Sequence, residues 1–399
     1  VNFTKFSIGE LIGIILIFCI ILVVSINAIF AAPNNWDSMT YHLPRVMHWI
    51  QNQSVEHYPT PILRQLYQPP GAEFLILHFQ ILTQTDRFAN LIQCFSMFGG
   101  VIVLSLIAFE LGVWKVGQIL TGILAVTIPM GILQGSSTQN DQVVRIWIAC
   151  FANIAVRILK NSQQTGQRKF DLLGAALSLA FALLTKGSAY VFAAPWIVCF
   201  VLAGIFKKRK HLFVDVLIMV MICAAVNAGF YSRNVRLFGT PLSAGAEDYV
   251  NKGGMIGNGI LNVVRNAALH LGTPIPKVNN FLKERIISLQ SLFGNVENNS
   301  WSDFDIPALS TSEDIAGNLF HFLLIFFVFA AVLVSRRFSS WLLIYTLMII
   351  IGFVLFCTLF KWQLFHSRLH LPLFLLSMPV VGLILERMQS RLLLVFILG

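Results

Sequence analysis

Charge is the scarce component of this sequence. Asp, Glu, Lys and Arg together make up 12% of 399 residues, about half the share in an ordinary globular domain. A water-soluble chain so poor in charge could not cover its own surface, so a soluble fold of two or three domains is excluded. With 56% hydrophobic residues, so is an intrinsically disordered chain. Cysteine is sparse as well. Cys19, Cys94, Cys150, Cys199, Cys223 and Cys357 all fall inside apolar runs and none forms a C-x-x-C pair. That excludes a secreted disulfide scaffold and leaves six small buried hydrophobes. The signatures G-x-x-x-x-G-K-[ST], H-E-x-x-H and G-x-S-x-G are missing, as is a G-x-G-x-x-G after a strand, which removes the usual nucleotide, metalloprotease and serine-hydrolase readings.

What the chain has instead is long apolar runs. They lie near 8–32, 88–111, 117–134, 141–159, 170–185, 188–206, 211–230, 318–335, 340–360 and 369–386, with a last one from 392 that is still apolar at Gly399. About 20 apolar residues cross a bilayer as a helix. The expectation is an all-α, polytopic membrane protein with about eleven transmembrane helices, forming one membrane-embedded domain over 1–399. The first run is too long for a signal h-region and has no small-residue cleavage site, so it reads as a retained span. The start at Val1 and the end inside an apolar run read as a C-terminally truncated fragment. The stretch 73–84 is too short to span and reads as an interfacial or partly inserted helix.

The net charge of +10 is what membrane topology requires and does not call for a nucleic-acid partner. The basic residues are dense in one set of connections: Lys5, Lys115, Arg157, Lys160, Arg168, Lys169, the KKRK run at 207–210, Arg336, Arg337, Arg387 and Arg391. The two large loops on the other side, 33–87 and 231–317, are poor in them. The positive-inside rule places the dense set in the cytoplasm and both large loops outside. Most acids and eight of the nine histidines then fall on the outer side, where function is to be sought.

The first outer loop opens with NNWDSMTYHLPRVMHW. Asp37 or Ser38 could cap a short helix that Pro44 restarts. Trp36, Met39, Leu43, Val46, Met47, Trp49 and Ile50 against His42, Arg45 and His48 predict an amphipathic helix on the membrane surface. Asp141 closes the short outer turn GSSTQND. It is either the cap of the next span or a chemical group, and it could pair with Arg145 one turn deeper. An arginine inside a span is a functional candidate by default, with snorkelling to the interface as the alternative. Lys186, Arg233, Arg236, Lys361, His366, Arg368 and His370 place basic groups at several span ends on the same side, each a headgroup anchor by itself and together a site for an anionic headgroup. His366 and His370, four apart, leave room for a divalent metal, but no convincing ligand set is visible. A carboxylate there can take a proton from an acceptor, and Arg and Lys can stabilise a departing phosphate. A donor both phosphorylated and confined to the bilayer is a polyprenyl-phosphate sugar.

Several landmarks occur together and in order: WDSMTYHLPRVMHW, YQPPGAEFLILHFQIL, STQND, LLTKGSAYVFAAPW, RNVRLFGTPL and HSRLHLPLFLLSMP. In this the chain resembles the GT-C membrane glycosyltransferases, in particular the branch of the protein O-mannosyltransferases and the lipid A aminoarabinose transferase. Each motif alone is weak; their order and common outer placement carry the resemblance, over about 10–385. It implies a GT-C-like fold and an inverting transfer from a polyprenyl-phosphate sugar to a lipid, glycan or protein acceptor on the outer face of the membrane; the dense, loop-poor helical core separately points to a bacterial inner membrane. It implies Asp37 as the catalytic base and Asp141 as a supporting group. The lipid phosphate would be met among Lys186, Arg233 and Arg368, with Arg64 and His366 as further substrate-binding candidates. Asp37 is followed by Ser38 where many relatives carry an acidic pair, and the loop 231–317, with its GAEDYVNKGGMIGNG and NVENNSWSDFDIP stretches, reads as flexible. The rival readings are a transporter or flippase of a lipid-linked sugar, which would carry its polar groups near the bilayer midplane, and a non-catalytic subunit in which both acids are caps.

Overall fold

The computed structural model describes residues 6–160, 165–242, 245, 248–251, 255–293, 303–335 and 337–398. They form helices α1 (Ile8–Phe30), α2 (Leu43–Asn52), α3 (Arg64–Tyr67), α4 (Gly71–Thr83), α5 (Leu91–Glu110), α6 (Lys115–Val126), α7 (Pro129–Gly135), α8 (Asp141–Lys160), α9 (Thr165–Thr185), α10 (Ser188–Phe206), α11 (His211–Phe238), α12 (Met255–Ala268), α13 (Pro276–Phe293), α14 (Leu319–Val334), α15 (Ser340–Leu359), α16 (His366–Leu369) and α17 (Leu371–Leu398). A π-helical turn, Ser38–His42, leads into α2. Among the described residues there is no strand, only an isolated antiparallel bridge between Val250 and Phe360.

Seven helices are long and apolar enough to cross a membrane, and the bent pair α6–α7 makes an eighth. Two more helices, α9 and α14, run along the bundle beside them. Lys186, just past α9, bonds Asp141 at the start of α8, while Arg157 near the end of α8 pairs with Asp171 near the start of α9, so α9 returns along the whole of α8. At one end of α14, Asn318 accepts from Met130; beyond its other end, Phe338 stacks on Arg387. Among the described residues that makes seven spans, or eight with the bent pair, with α9 and the shorter α14 packed along them. The separate last span expected from 392 is a correction: that apolar stretch continues α17. Glu386 on α17 already stands at the bundle end where α6 begins, accepting from Trp114 N (3.1 Å) and Gly117 N (2.9 Å), so the helix continues past that end and does not turn back as a new span.

Helices α8 and α17 form the centre. Most of α8 from Asp141 to Leu159 is buried, as is all of α17 from Leu371 to Ile384. Helix α1 lies at the rim, with Leu11, Ile12, Ile15, Phe18, Leu22 and Val23 exposed to what must be lipid. Its start is fixed by a capping box: Ser7 N donates to Glu10 and Glu10 N to Ser7 Oγ. Pro129, which has no N–H and disfavours helix at Ile128, breaks the α6–α7 span through 67°. Asn318 Oδ1 accepts from Met130 N in the first turn after the break, at 3.0 Å. Helices α6 and α17 touch through glycine: a Cβ on Gly382 would lie 2.6 Å from Gly117 O and 2.2 Å from Thr121 Oγ1. Gly382→Ala is therefore expected to destabilise by about 1–3 kcal/mol through overpacking, seen as a lower melting temperature of the detergent-solubilised protein.

The first loop is amphipathic as expected, but polar and apolar residues alike turn inward, with Leu43, Val46 and Trp49 in a buried cluster. His42 and Arg45 are buried, while Trp36, Met39 and Met47 are exposed. His42 Nδ1 and Arg45 Nη1 meet Glu73 Oε1 of α4 at 2.8 and 3.1 Å. Arg45 also donates to the carbonyls of Arg64, Gln65 and Gln68, so one side chain holds the segment that carries Arg64. The stretch 245–259, expected to be flexible, is partly helical and partly pinned: α12 begins at Met255, and Lys361 N donates to Tyr249 O at 2.8 Å and Asn251 N to Leu359 O at 2.9 Å. The NVENNSW part of the second stretch lies outside the described residues.

Candidate active site

Both acids escape the capping role that sequence position suggests. At Asp37 the capping bond comes from Asn35, whose Oδ1 accepts from Ser38 N at 2.7 Å. At α8 the free N–H groups of Gln142 and Val143 donate to Gln93 Oε1 of α5 at 2.8 and 3.1 Å. With the backbone served by neutral amides, the two carboxylates are left for side chains. Asp37 Oδ1 accepts from Arg64 Nη1 at 3.1 Å, and its Oδ2 from Arg368 Nη2. Arg368 Nη1 reaches Asp314 Oδ1 at 3.2 Å, and Gln139 Nε2 donates to the same oxygen at 3.1 Å. Asp141 Oδ1 accepts from Lys186 Nζ at 2.5 Å, not from Arg145.

These groups surround one cavity of about 590 Å³, within the usual range of roughly 300–1,000 Å³ for small-molecule sites. Asp37, Arg64, Lys186, Asp314, His366 and Arg368 line it, with Tyr41, Tyr67, Tyr190 and Tyr249 among the aromatics. They come from segments at one end of the helix bundle: the first loop with α3, the turn after α9 with the start of α10, the 248–251 segment, and the segments before α14 and around α16. Asp141 stands behind Lys186, buried and paired with it. Arg233 is not brought to this cavity. The sequence reading ended its span near 230, whereas α11 continues to Phe238. Arg233 stays on the helix and lines a separate small pocket with Arg45, His57 and Tyr58.

Burial would by itself raise the carboxyl pKa of Asp37, but Arg368, His42 and Arg64 outweigh it and hold the group well below its ordinary 3.8. Burial lowers Arg368, yet Asp37, Asp141 and Asp314 carry it above its ordinary value. Lys186 shifts downward because burial outweighs Asp141. His366 is pushed down to about 3, first by burial and then by Arg368. It is thus a neutral imidazole at physiological pH, unlike the basic group expected. Its Nδ1 lies 2.8 Å from Asn266 Oδ1, and His370 Nδ1 lies 3.0 Å from His270 Nε2. Among the described residues no three His, Cys, Asp or Glu side chains converge as a metal site.

No protein-family model matches this chain, and no curated protein matches its sequence. Solved structures do. ArnT from Cupriavidus metallidurans bound to undecaprenyl phosphate superposes over 94% of this chain with a TM-score of 0.62 at 14% identity. The archaeal oligosaccharyltransferase AglB from Archaeoglobus fulgidus, in complex with an inhibitory peptide and a dolichol-phosphate, superposes over 97% with a TM-score of 0.54 at 13% identity. Both are GT-C glycosyltransferases. This chain has the GT-C fold. It spans 60% of the length of ArnT and 51% of that of AglB. In its GT-C arrangement Asp314, Gln139, Asn35 and Gln93 are parts of the site that were not anticipated from sequence. Arg45 supports the site from behind: Arg45→Ala leaves Glu73 buried with less compensation and frees the backbone of 64–68, so a loss of about 3–5 kcal/mol is expected, measured as early unfolding together with loss of the Arg64–Asp37 contact.

Proposed function

We propose that this protein transfers a sugar from a polyprenyl-phosphate donor to a lipid, glycan or protein acceptor, with inversion, at the outer face of a bacterial inner membrane. The observation that carries this reading is the cavity itself: a buried carboxylate held between two guanidinium groups, with a lysine–aspartate pair beside it, at one end of a GT-C bundle. The GT-C neighbour that holds undecaprenyl phosphate supports a lipid-phosphate donor. Asp37 takes the proton of the acceptor hydroxyl or amine. The acceptor atom bonds to the anomeric carbon as the carbon–oxygen bond to phosphate breaks. The electron pair leaves with the polyprenyl phosphate, whose charge Arg368 and Lys186 stabilise. Phe230, Phe360, Phe365 and Leu369 give the cavity an apolar flank along which the first isoprene units would lie.

The resting pairing fits an ordered sequence. While Arg368 sits on Asp37, the carboxylate is a weak base. A donor phosphate that draws Arg368 to itself restores the proton affinity of Asp37, so the base is strengthened when the leaving group is in place. The charged side chains of the cavity gather at one bundle end, which favours transfer over transport, since a transporter would place them near the midplane. Binding of a polyprenyl monophosphate to the purified protein tests the phosphate site. Lys186→Met and Arg368→Gln are expected to weaken binding about tenfold or more each, whereas Arg233→Gln leaves it unchanged. Equal losses for all three would count against this cavity as the phosphate site.

A further inference from the structure

Arg145 is a guanidinium without a counter-charge inside a membrane-spanning helix. It is 1% exposed, and its Nε and Nη1 are buried with no hydrogen-bond partner. It forms no ion pair among the described residues. Two glycines provide its slot: a Cβ on Gly131 of α7 would lie 3.1 Å from Nη1, and one on Gly100 of α5 would lie 3.8 Å from Nη2. A buried unpaired charge is costly, and in a span it marks function. The nearest remedy is one turn away, because side chains at i and i+4 of a helix reach each other. Asp141 occupies that position. Its Oδ1 is on Lys186, while its Oδ2 is buried and has no partner. Asp141 is half-satisfied and Arg145 has no counter-ion among the described residues, and the two stand one turn apart without forming an ion pair.

Charge accounting gives the slot a purpose. The acids of the paired network, Asp37, Asp141 and Asp314, are matched by Arg64, Lys186 and Arg368. Arg145 is the surplus positive charge. A phosphodiester-linked lipid sugar brings one negative charge, but it meets only cations that face the cavity, as Lys186 and Arg368 do. If Lys186 turns toward that phosphate, Asp141 is left buried and uncompensated unless another cation replaces the lysine. We propose that Arg145 is the reserve counter-ion of Asp141, closing onto its free oxygen when a lipid-linked phosphate draws Lys186 into the cavity. Arg145 is then a positioning residue, acting on the substrate only through Asp141 and Lys186. The proposal rests on the reading that the cavity takes a lipid phosphate.

A double-mutant cycle separates the two. Binding of a polyprenyl monophosphate is measured by calorimetry for the wild type, Arg145→Met, Asp141→Asn and the double variant. Arg145→Met keeps the volume and removes a lone charge, so its melting temperature is expected to stay level or rise while its affinity falls about tenfold. In the Asp141→Asn background Lys186 is already free, and the same change is expected to alter affinity less than about twofold, as the cycle requires of residues that act as one unit. Arg145→Lys, which keeps the charge, is expected to retain most of the affinity. Unchanged affinity for Arg145→Met, or an equal loss in both backgrounds, would overturn the proposal while leaving the lipid-phosphate site intact. Absence of binding by the wild type would overturn the lipid-phosphate reading and this proposal with it.

Discussion

Asp37→Asn lowers sugar transfer by about 10²- to 10⁴-fold, the share a positioned general base supplies, while binding of a polyprenyl phosphate stays equal or becomes tighter. The second half follows from geometry. In the resting site Asp37 holds Arg368 and Arg64, and neutralising it releases Arg368 to the phosphate. The loss therefore lies in kcat and not in KM. Because the neighbouring cations depress the pKa of Asp37 in the folded protein, its ion pairs contribute full stability above the unfolded value of about 3.9, and that contribution is lost as pH falls through the depressed folded value. The melting temperatures of wild type and Asp37→Asn should thus differ most above about pH 4 and converge in stronger acid. In activity the acid limb of kcat/KM, which reports the free enzyme, lies below the ordinary carboxylate range. The acid limb of kcat, which reports the bound state, moves upward once the phosphate has taken Arg368.

Arg368→Gln is expected to lower kcat by about 10²- to 10³-fold, as removal of one preorganised donor does at a developing anion, and Arg368→Lys restores little of it. The guanidinium touches two carboxylates at once, Asp37 through Nη2 and Asp314 through Nη1. A lysine is a single point charge and spans only one of them. Arg368→Gln removes the cation between Asp37 and Asp314 and Arg368→Lys leaves one of the two carboxylates without its partner, so both are expected to melt earlier than the wild type, the glutamine variant more so. Comparing kcat, KM and melting temperature for the two variants checks this. A lysine variant with wild-type turnover would mean that charge alone suffices and that the two-pronged bridge is irrelevant.

Much of the fold was legible because a bilayer demands apolar runs of one length and a basic bias on one side. That bias by itself puts Asp37, Asp141, Lys186 and Arg368 at one end. The count failed at α17, where an apolar stretch after Arg391 looks like a new span but continues the old helix. Periodicity cannot show whether a chain turns back. The roles of Asp37 and Asp141 were ambiguous because an Asp at a helix start is ordinarily a cap. What frees them is Asn35, two residues before Asp37, and Gln93, 48 residues before Asp141 on a different helix; the first was visible nearby and the second was not. Arg233 was misplaced by ending α11 a few residues early, which put it on a loop instead of a helix face. Asp314 carries a weaker form of the signal at Asp141, an acid a few residues before a membrane helix. The pairing of Asp141 with Lys186 in place of Arg145 depends on how α8 and α9 pack, which no local pattern encodes.

The most direct measurement uses a polyprenyl-phosphate sugar carrying one radiolabel on the sugar and another on the lipid phosphate, in proteoliposomes of wild type and Asp37→Asn. The account predicts that with wild type the sugar label leaves the lipid and an equimolar amount of polyprenyl phosphate forms, and that Asp37→Asn does neither. Two labels that stay together while the intact lipid sugar passes from one leaflet to the other would contradict it and make the protein a transporter.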